Sequence, residues 1–381
     1  MTSMGGISWK EIPVDQYCDS VRDGTHDSPT FLDAGFPLIT SKNIKMGQII
    51  LDSANLISEH DFTEINRRSK VDQWDVLFSM IGTVGEVCLV HDDTPSFAIK
   101  NIGLFKNGDE LKGKWLYYWL TNPITKAEIK QAHRGASQQY IPLGELRKLP
   151  IRVPKNQDVM HRVVAILSTY DDLIENNRRR MALLEESARL LYREWFVHLR
   201  FPGYEHTPVV DGVPRGWERK TLGESIKLNY GKALKAEIRV KGDYPVYGSS
   251  GIVGTHEKPL VQGPAIILGR KGNVGSVYWS SKSFYPIDTV YFVSPESSSL
   301  YLFYALKNMH FISTDVAVPG LNRDFAYSRP LLHPPLTLLR SFHETVEPIH
   351  SQLDKLDEQN QKLRAARDLL LPRLMSGDLA V

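Results

Sequence analysis

The sequence of 381 residues is poor in cysteine and in long apolar runs. Only Cys18 and Cys88 occur, and neither has a second cysteine or a histidine at metal-ligand spacing. This argues against a disulfide framework and against a structural zinc site. No window approaches the ~18 uninterrupted apolar residues of a membrane span, and the first residues lack the pattern of a secretory signal. We therefore expect a cytoplasmic protein.

Recognisable catalytic motifs are also missing from the sequence. Residues 108–114 have the G-x4-G-K spacing of a phosphate loop, but Trp115 follows where magnesium coordination needs a Ser or Thr hydroxyl. Residues 122–125 (NPIT) lack the aromatic ring of the Asn-Pro-Pro-aromatic site of amino-methyltransferases. Neither G-x-S-x-G nor H-E-x-x-H occurs. We predict no catalytic residue, no metal and no cofactor in this chain.

A strong excess of charge of either sign is absent too. The chain has 46 Lys and Arg residues against 44 Asp and Glu residues, and 42% of its residues are hydrophobic. This composition fits a folded protein, and the length fits two or three domains. A nucleic acid would have to be held by local clusters of positive charge and not by a global field.

What the sequence does contain is an internal repeat of about half its length. Four landmarks recur in the same order, and together they favour duplication over chance. They are Trp9–Ile12 with Trp217–Leu222, Gly82–Val87 with Gly272–Val277, Leu149–Pro154 with Pro330–Pro335, and Ile166, Tyr170, Leu173 and Asn177 with Ile349, Leu353, Leu356 and Asn360. The two Gly-x-Val-Gly segments are interpreted as tight turns between strands.

Each half is predicted to be a strand-rich globular region with little helix, followed by one long helix. Runs such as Asp75–Ile81 and Ala265–Gly269 are short, apolar and bounded by turn residues, which is typical of strands. The segments after Pro154 and Pro335 carry apolar residues at steps averaging near 3.5, which indicates a coiled-coil seam.

Two asparagines at equivalent positions, Asn177 and Asn360, fall within this seam. They are either a buried polar pair that fixes the register or solvated residues where the stripe drifts. A helix from about residue 157 to residue 199 would be roughly 65 Å long, longer than one ~34 Å turn of DNA. We hypothesise that the helices act as a spacer.

Clusters of basic residues lie among aromatic and small polar residues in both halves. Residues 217–290 contain eleven Lys and Arg against six Asp and Glu, including Arg270 and Lys271 in a Gly-rich turn. The first half has clusters at residues 41–43, 67–70 and 134–139. Cations beside Ser, Asn and backbone amides suit phosphate oxygens, and Arg, Asn and Gln can bond to base edges. Each cluster alone is more often only a solvated face, but recurrence in both copies favours nucleic-acid binding.

Taken together, these features resemble the specificity subunit of type I restriction-modification systems. The segments that carry the resemblance are 23–29 (DGTHDSP), 37–44 (PLITSKNI), 78–85 (FSMIGTVG), 244–254 (YPVYGSSGIVG), 269–275 (GRKGNVG) and 318–323 (VPGLNR). One departure is visible at residues 336–342, where the second helix opens without the Glu-Gln pair often found there. That departure concerns the partner contact and not the assignment.

The resemblance implies an α+β chain that reads a bipartite DNA site without catalysing a reaction. Its domains would be a first target-recognition domain (1–153), a central helix (154–200), a second target-recognition domain (201–333) and a distal helix (334–381). The two helices would pack as an antiparallel coiled coil. Two modification subunits would bring S-adenosylmethionine for adenine methylation, and restriction subunits would bring ATP and magnesium for translocation and cleavage.

The candidate DNA-binding residues come from the basic clusters and the resembling segments. In the first half they are Arg22, Thr25, His26, Lys42, Asn43, Arg67, Arg68, Lys70, Lys100, Arg134, Ser137, Gln138 and Gln139. In the second half they are Lys232, Lys235, Arg239, Tyr247, Ser249, Ser250, Arg270, Lys271, Asn273, Asn322 and Arg323. Two alternatives stay open: the recognition portion of a methyltransferase-nuclease, and a coiled-coil scaffold without DNA binding.

Overall fold

A computed structural model describes residues 8–132, 140–312 and 320–381. The chain divides into two compact units, each with its own hydrophobic cores. Unit 1 comprises Met1–Glu175 and Asn360–Val381, and unit 2 comprises Asn176–Gln359. Within the described ranges, none of the helices combines the length and the apolar character needed to cross a membrane.

The first half of the chain alternates short strands with helices. Its strands are β1 (Trp9–Pro13), β2 (Ser20–Asp23), β3 (Phe36–Ile39), β4 (Ile44–Lys45), β5 (Gln48–Ile49), β6 (Asn55–Ile57), β7 (Val76–Ser79), β8 (Val87–Leu89), β9 (Ala98–Ile99), β10 (Ile102–Lys106) and β11 (Pro150–Pro154). Its helices are α1 (Val14–Tyr17), α2 (Glu59–Ser69), α3 (Glu110–Thr121), α4 (Pro123–Ala132) and α5 (Leu143–Lys148). The long helix α6 (Gln157–Tyr192) follows and continues as a π-helical stretch, Arg193–Val197.

The second half repeats this order with fewer helices. Its strands are β12 (Val209–Val210), β13 (Val213–Pro214), β14 (Glu218–Thr221), β15 (Leu228–Tyr230), β16 (Tyr244–Gly248), β17 (Gly251–His256), β18 (Ala265–Gly269), β19 (Val277–Ser280), β20 (Tyr285–Pro286), β21 (Val290–Val293) and β22 (Pro330–His333). Its helices are α7 (Leu222–Ser225), α8 (Leu300–Asn308), α9 (Arg323–Tyr327) and the long α10 (Leu336–Ser376).

Sheet topology shows the same duplication as the sequence. The four-stranded sheet has the order β2-β10-β7-β8 in unit 1 and β15-β21-β18-β19 in unit 2. Each unit also has a three-stranded sheet, β6-β3-β9 or β17-β16-β20, and an antiparallel pair, β1-β11 or β14-β22. The prediction of two strand-rich domains, each followed by a long helix, is confirmed. The exact domain boundaries drawn from the sequence stay a prediction.

Both Gly-x-Val-Gly segments form the predicted tight turns, between β7 and β8 and between β18 and β19. In each, the third residue donates its amide to the first glycine's carbonyl: Val84 to Gly82 and Val274 to Gly272, both at 2.9 Å. Gly82 and Gly272 have φ of 77° and 78°, a left-handed conformation that favours glycine. The matched geometry explains why these glycines occur in both repeats.

In unit 1 the beginning of α6 packs with the end of α10. Their apolar side chains join one core with strands and α3, including Trp115 and Leu167. Asp171 of α6 accepts a 2.8 Å hydrogen bond from the Tyr118 hydroxyl and forms an ion pair with Arg367 of α10. Because an early segment of α6 meets a late segment of α10, the two helices run antiparallel within this unit.

Unit 2 holds the other ends of both helices. Tyr192 and Phe196 near the end of α6 share an aromatic core with Phe342 near the beginning of α10. Asn177 and Asn360 are 7% and 1% exposed. The two asparagines are therefore not solvated, although their pairing stays a proposal because they belong to different units.

The first half contains more helix than its sequence pattern predicted. The expectation of little helix is wrong here, because α2 and α3 alone contain 11 and 12 residues. Ser58 caps the beginning of α2, because its side chain accepts from the amide of Asp61. The first turn of α2 is acidic. These are ordinary helix-start signals, but the surrounding strand-like runs outweighed them.

The structure predicts that acid destabilises unit 2 through one partly buried histidine. His350 of α10 lies beside Trp279 and Phe303, 2.8 Å from the Tyr304 hydroxyl. Burial lowers the pKa of His350 to about 4. The unfolded chain therefore binds the proton more tightly, so this stability is present above pH 6.5 and is lost as the pH falls towards 4, by about 3 kcal/mol.

The check is urea unfolding at pH 7.5 and pH 4.5 for the wild type and His350→Leu. The equivalent residue of the first repeat is Leu167, which is fully buried, so leucine suits this kind of site. We expect the variant to lose the part of the acid sensitivity that His350 supplies. An identical pH dependence of the two proteins would contradict the assignment.

Candidate nucleic-acid interface

In unit 1 two loops meet at one edge of the four-stranded sheet. Where β2 ends, the amide of Gly24 donates to the carbonyl of Ile102 at 2.9 Å. Just before α5, the amide of Ile141 donates to the carbonyl of Met80 at 3.0 Å. These two backbone bonds bring the end of β2 and the beginning of α5 side by side.

Unit 2 uses the same two bonds at equivalent positions. The amide of Gly231 donates to the carbonyl of Val290 at 3.2 Å, and the amide of Leu321 donates to the carbonyl of Arg270 at 2.8 Å. The strand registers agree, because Asp23 faces Gly103 as Tyr230 faces Tyr291. Each repeat therefore opens a cleft at the same place, between the strand end and the short helix.

The cleft of unit 1, cleft 1, is basic with one buried acid. It is lined by Arg22, Asp23, His26, Arg67, Arg68, Leu143 and Arg147. The Asp23 carboxylate, with its side chain only 10% exposed, pairs with the Arg68 guanidinium and lies 3.0 Å from Nε2 of His26. Arg147 donates to the carbonyl of Val21 at 3.0 Å. The buried acid thus orients cationic groups whose outer ends face solvent.

The cleft of unit 2, cleft 2, combines arginines with tyrosine rings. It is lined by Tyr230, Arg270, Tyr291, Leu321, Asn322, Arg323 and Asp324. The guanidinium carbon of Arg270 lies 5.0 Å from the ring centre of Tyr230 and 5.7 Å from that of Tyr291. Burial and a hydrogen bond with Tyr230 raise the pKa of Tyr291 to about 12, so its hydroxyl stays protonated and donates to the carbonyl of Leu321 at 3.1 Å.

Several further predicted residues lie close to the clefts. Thr25 forms a strand bridge with Lys100, next to His26. In unit 2, Lys271 bridges to Gly320, and the Ser249 amide donates to Oγ1 of Thr289 at 3.3 Å. Ser250 and Asn273 are exposed in neighbouring turns. Part of the predicted set therefore lies at or beside the two clefts.

Other predicted residues serve the fold or lie apart from the clefts. Asn43 is buried and closes the turn after β3 through its bonds to Thr40, and Tyr247 is buried in a small core. Arg239 donates to the carbonyls of Leu234 and Val253. Lys42, Lys70, Lys232 and Lys235 are exposed. Arg134, Ser137, Gln138 and Gln139 lie outside the described residues.

Sequence reasoning missed seven of the residues that line the clefts: Asp23, Leu143, Arg147, Tyr230, Tyr291, Leu321 and Asp324. Asp23 and Tyr230 each precede a glycine that is tightly enclosed by backbone. A Cβ on Gly24 would lie 2.3 Å from the Ile99 oxygen, and one on Gly231 would lie 2.0 Å from the Ile287 oxygen. Aligning the two Xaa-Gly pairs of the repeat was the signal that would have found Asp23 and Tyr230.

Comparison with known proteins decides the family. The family model described as type I restriction modification DNA specificity domain matches residues 8–186 and 214–336, one match over most of each repeat. The chain belongs to this family. The specificity-subunit assignment predicted from the sequence, a recognition component and not a catalytic one, is thereby confirmed.

Proteins named as specificity subunits resemble this chain over most of their length. The MjaIX specificity subunit of Methanocaldococcus jannaschii is 23% identical over 307 residues, covering 72% of this chain and 70% of the relative. The HindI specificity subunit of Haemophilus influenzae is 21% identical, covering 82% of this chain and 88% of the relative. A crystal structure of the S subunit of a type I system from M. genitalium matches with a TM-score of 0.53 at 19% identity, covering 98% of each chain. That structure shares the fold of the specificity chain.

The structure predicts that Gly24→Ala disrupts cleft 1. The new methyl group would meet the Ile99 carbonyl oxygen at 2.3 Å, and overpacking of this kind costs about 1–3 kcal/mol. Gly144→Ala is the matched control in α5, since no heavy atom lies within 4 Å of its added Cβ and alanine suits a helix. Thermal unfolding should show a lower Tm for Gly24→Ala and no loss for Gly144→Ala. Equal Tm values would contradict the close approach.

Proposed function

We propose that this chain reads a bipartite double-stranded DNA site, with one half-site for each repeat. Cleft 1 and its surrounding cations would face one half-site, and cleft 2 the other. Exposed lysines and arginines would contact phosphates and set position, while groups inside each cleft would contact base edges and set sequence.

The observation that carries this proposal is that the two clefts occupy equivalent positions in the repeats but are lined by different side chains. Both clefts depend on the same backbone hydrogen bonds, so their frame is shared. Asp23 in cleft 1 corresponds to Tyr230 in cleft 2, and Leu143 corresponds to Arg323. A shared frame with exchanged side chains suits two readers of different sequences better than it suits a scaffold.

The long helices would set the distance between the two half-sites. α6 contains 36 residues and α10 contains 41, which correspond to roughly 54 and 60 Å of helix. Buried Asn177 and Asn360 would fix the register of the two helices, since a polar residue in such a seam penalises slipped pairings. The recognised site would then have a spacer of fixed length.

Catalysis would belong to partner subunits, as in the family. Two modification subunits would bind S-adenosylmethionine and methylate adenine, and restriction subunits would use ATP and magnesium for translocation and cleavage. This chain would direct them by gripping the duplex beside the target adenines, inside the cytoplasm. A base must leave the stack before it can be methylated, so a firm grip on the flanking duplex aids the reaction.

Each half-site should respond to its own cleft. Arg68→Ala removes an exposed guanidinium from cleft 1, and Arg270→Ala removes one from cleft 2. Sequencing of methylated adenines, in cells that express the chain with its modification partner, should show one half-site relaxed by each variant. Arg162→Ala, on the exposed surface of α6, is the control. If either cleft variant relaxed both half-sites equally, the two-reader proposal would be wrong.

Lengthening both helices should lengthen the spacer alone. One heptad inserted after Asn177 in α6 and one after Asn360 in α10 would add about 10 Å of helix, close to three base pairs of DNA. The same methylation sequencing should report unchanged half-sites separated by about three more base pairs. An unchanged spacer in a variant that still methylates DNA would contradict the role of the helices.

A further inference from the structure

Cleft 2 holds one arginine in a fixed orientation. The guanidinium of Arg270 contacts the rings of Tyr230 and Tyr291, whose centres are 5.1 Å apart, and its NH1 donates to the carbonyl of Asp288 at 2.9 Å. A guanidinium has five N–H donors in one plane. Only one is used by this bond, so the group keeps an edge with two donors while the bond and the two ring contacts restrict its orientation.

A second arginine shares the same aromatic ring. The guanidinium carbon of Arg323 lies 5.4 Å from the centre of Tyr230 and 5.9 Å from that of Tyr327. Its Nε is buried, and no hydrogen-bond partner for it lies among the described residues. A buried donor without a partner is costly, which fits a side chain placed for what its terminal guanidinium nitrogens can bind and not for the stability of the fold.

The acid in this cleft has a different environment from the acid in cleft 1. Asp324 is exposed at the beginning of α9, and its backbone amide donates to the side-chain oxygen of Asn322 at 2.8 Å. Asn322 also accepts from the amide of Phe325, so its oxygen is occupied in capping the helix. The Asp324 carboxylate is therefore the acceptor that cleft 2 presents beside its two guanidinium groups.

The first repeat shows that these arginines are not needed for the fold. By the shared backbone bonds, Arg270 corresponds to Met80 and Arg323 corresponds to Leu143. Met80 is fully buried, and Leu143 packs against the same core. Apolar side chains thus occupy the equivalent positions of unit 1 without loss of the backbone arrangement. The two arginines therefore have a role in cleft 2 that the fold does not require.

We propose that cleft 2 reads a G·C base pair in the major groove, with Arg270 as the residue that selects guanine. Guanine presents two acceptors, O6 and N7, that match the paired donors of an arginine edge, and cytosine presents an amino donor that suits a carboxylate. Asp324 accepts from that cytosine amino group, and Arg323 completes the contact to the same or the adjacent pair. This inference rests on the proposed function of the two clefts.

The experiment begins with the methylated motif of the wild type and of Arg270→Ala, which together identify the base pair whose selection depends on Arg270. Competition binding with the assembled complex of specificity and modification subunits then compares the wild-type site with sites substituted at that pair. We expect the pair to be G·C, and discrimination against the substituted pairs to fall about 5- to 100-fold in Arg270→Ala. Arg270→Lys should recover only part of the discrimination, since lysine lacks the planar fork.

The controls separate this inference from the proposal on which it rests. Arg215→Ala, exposed in unit 2 outside the cleft, should leave discrimination unchanged. Relaxation confined to one half-site, but at an A·T pair, would overturn guanine selection while leaving the two-reader proposal intact. Relaxation of both half-sites, or of neither, would overturn the assignment of cleft 2 to one half-site, and guanine selection with it.

Discussion

Two backbone hydrogen bonds in each repeat fix the position of its cleft. In the first repeat, the amide of Gly24 after β2 donates to the carbonyl of Ile102 in β10, and the amide of Ile141 before α5 donates to the carbonyl of Met80 after β7. The second repeat has the equivalent two bonds. Backbone bonds do not depend on side-chain identity, so they persist while the residues around them change. The cleft between these two segments therefore has the same position in both repeats, while the side chains that line it can differ.

The two linings illustrate this freedom. In cleft 1 a nearly buried carboxylate, Asp23, pairs with the guanidinium of Arg68 and lies within hydrogen-bond distance of His26, which is how a buried charge is normally tolerated. In cleft 2 the corresponding residue is Tyr230, whose ring supports two guanidinium groups. An arginine stacked on an aromatic ring is preorganised for planar hydrogen bonding. Different side chains at equivalent positions of the two repeats are what the proposed recognition of two unlike half-sites requires.

Much of the fold could be predicted from the sequence, and the successes share a cause. The Gly-x-Val-Gly turns and the long helices are local patterns with a direct conformational meaning, and their recurrence set the register of the duplication. The helices α2 and α3 were missed for different reasons. Glu59–Ser69 is amphipathic but mostly polar, whereas Glu110–Thr121 is largely buried and shows no clear amphipathic period.

The candidate site was predictable as a region but not as a set of contacts. Basic residues such as Arg67, Arg68 and Arg270 line the clefts, as their clusters in the sequence indicated. Asn43 and Tyr247 lie buried instead, because a turn and a core needed their hydrogen bonds or their volume. The Xaa-Gly pairs that begin with Asp23 and Tyr230 recur in the sequence, but the place of these residues in a cleft emerged only from the pairing of distant strands, β2 with β10 and β15 with β21. Such pairings are set by the whole sheet and not by the neighbouring residues.

The central claim, that each repeat reads one half-site, is tested most directly by making the two readers identical. Residues 217–335 would be replaced by a copy of residues 9–154, and the methylated motif would be sequenced in cells that also express the modification partner. The account predicts a site built from two copies of one wild-type half-site. A folded, DNA-modifying chain that kept the original two unlike half-sites would contradict it.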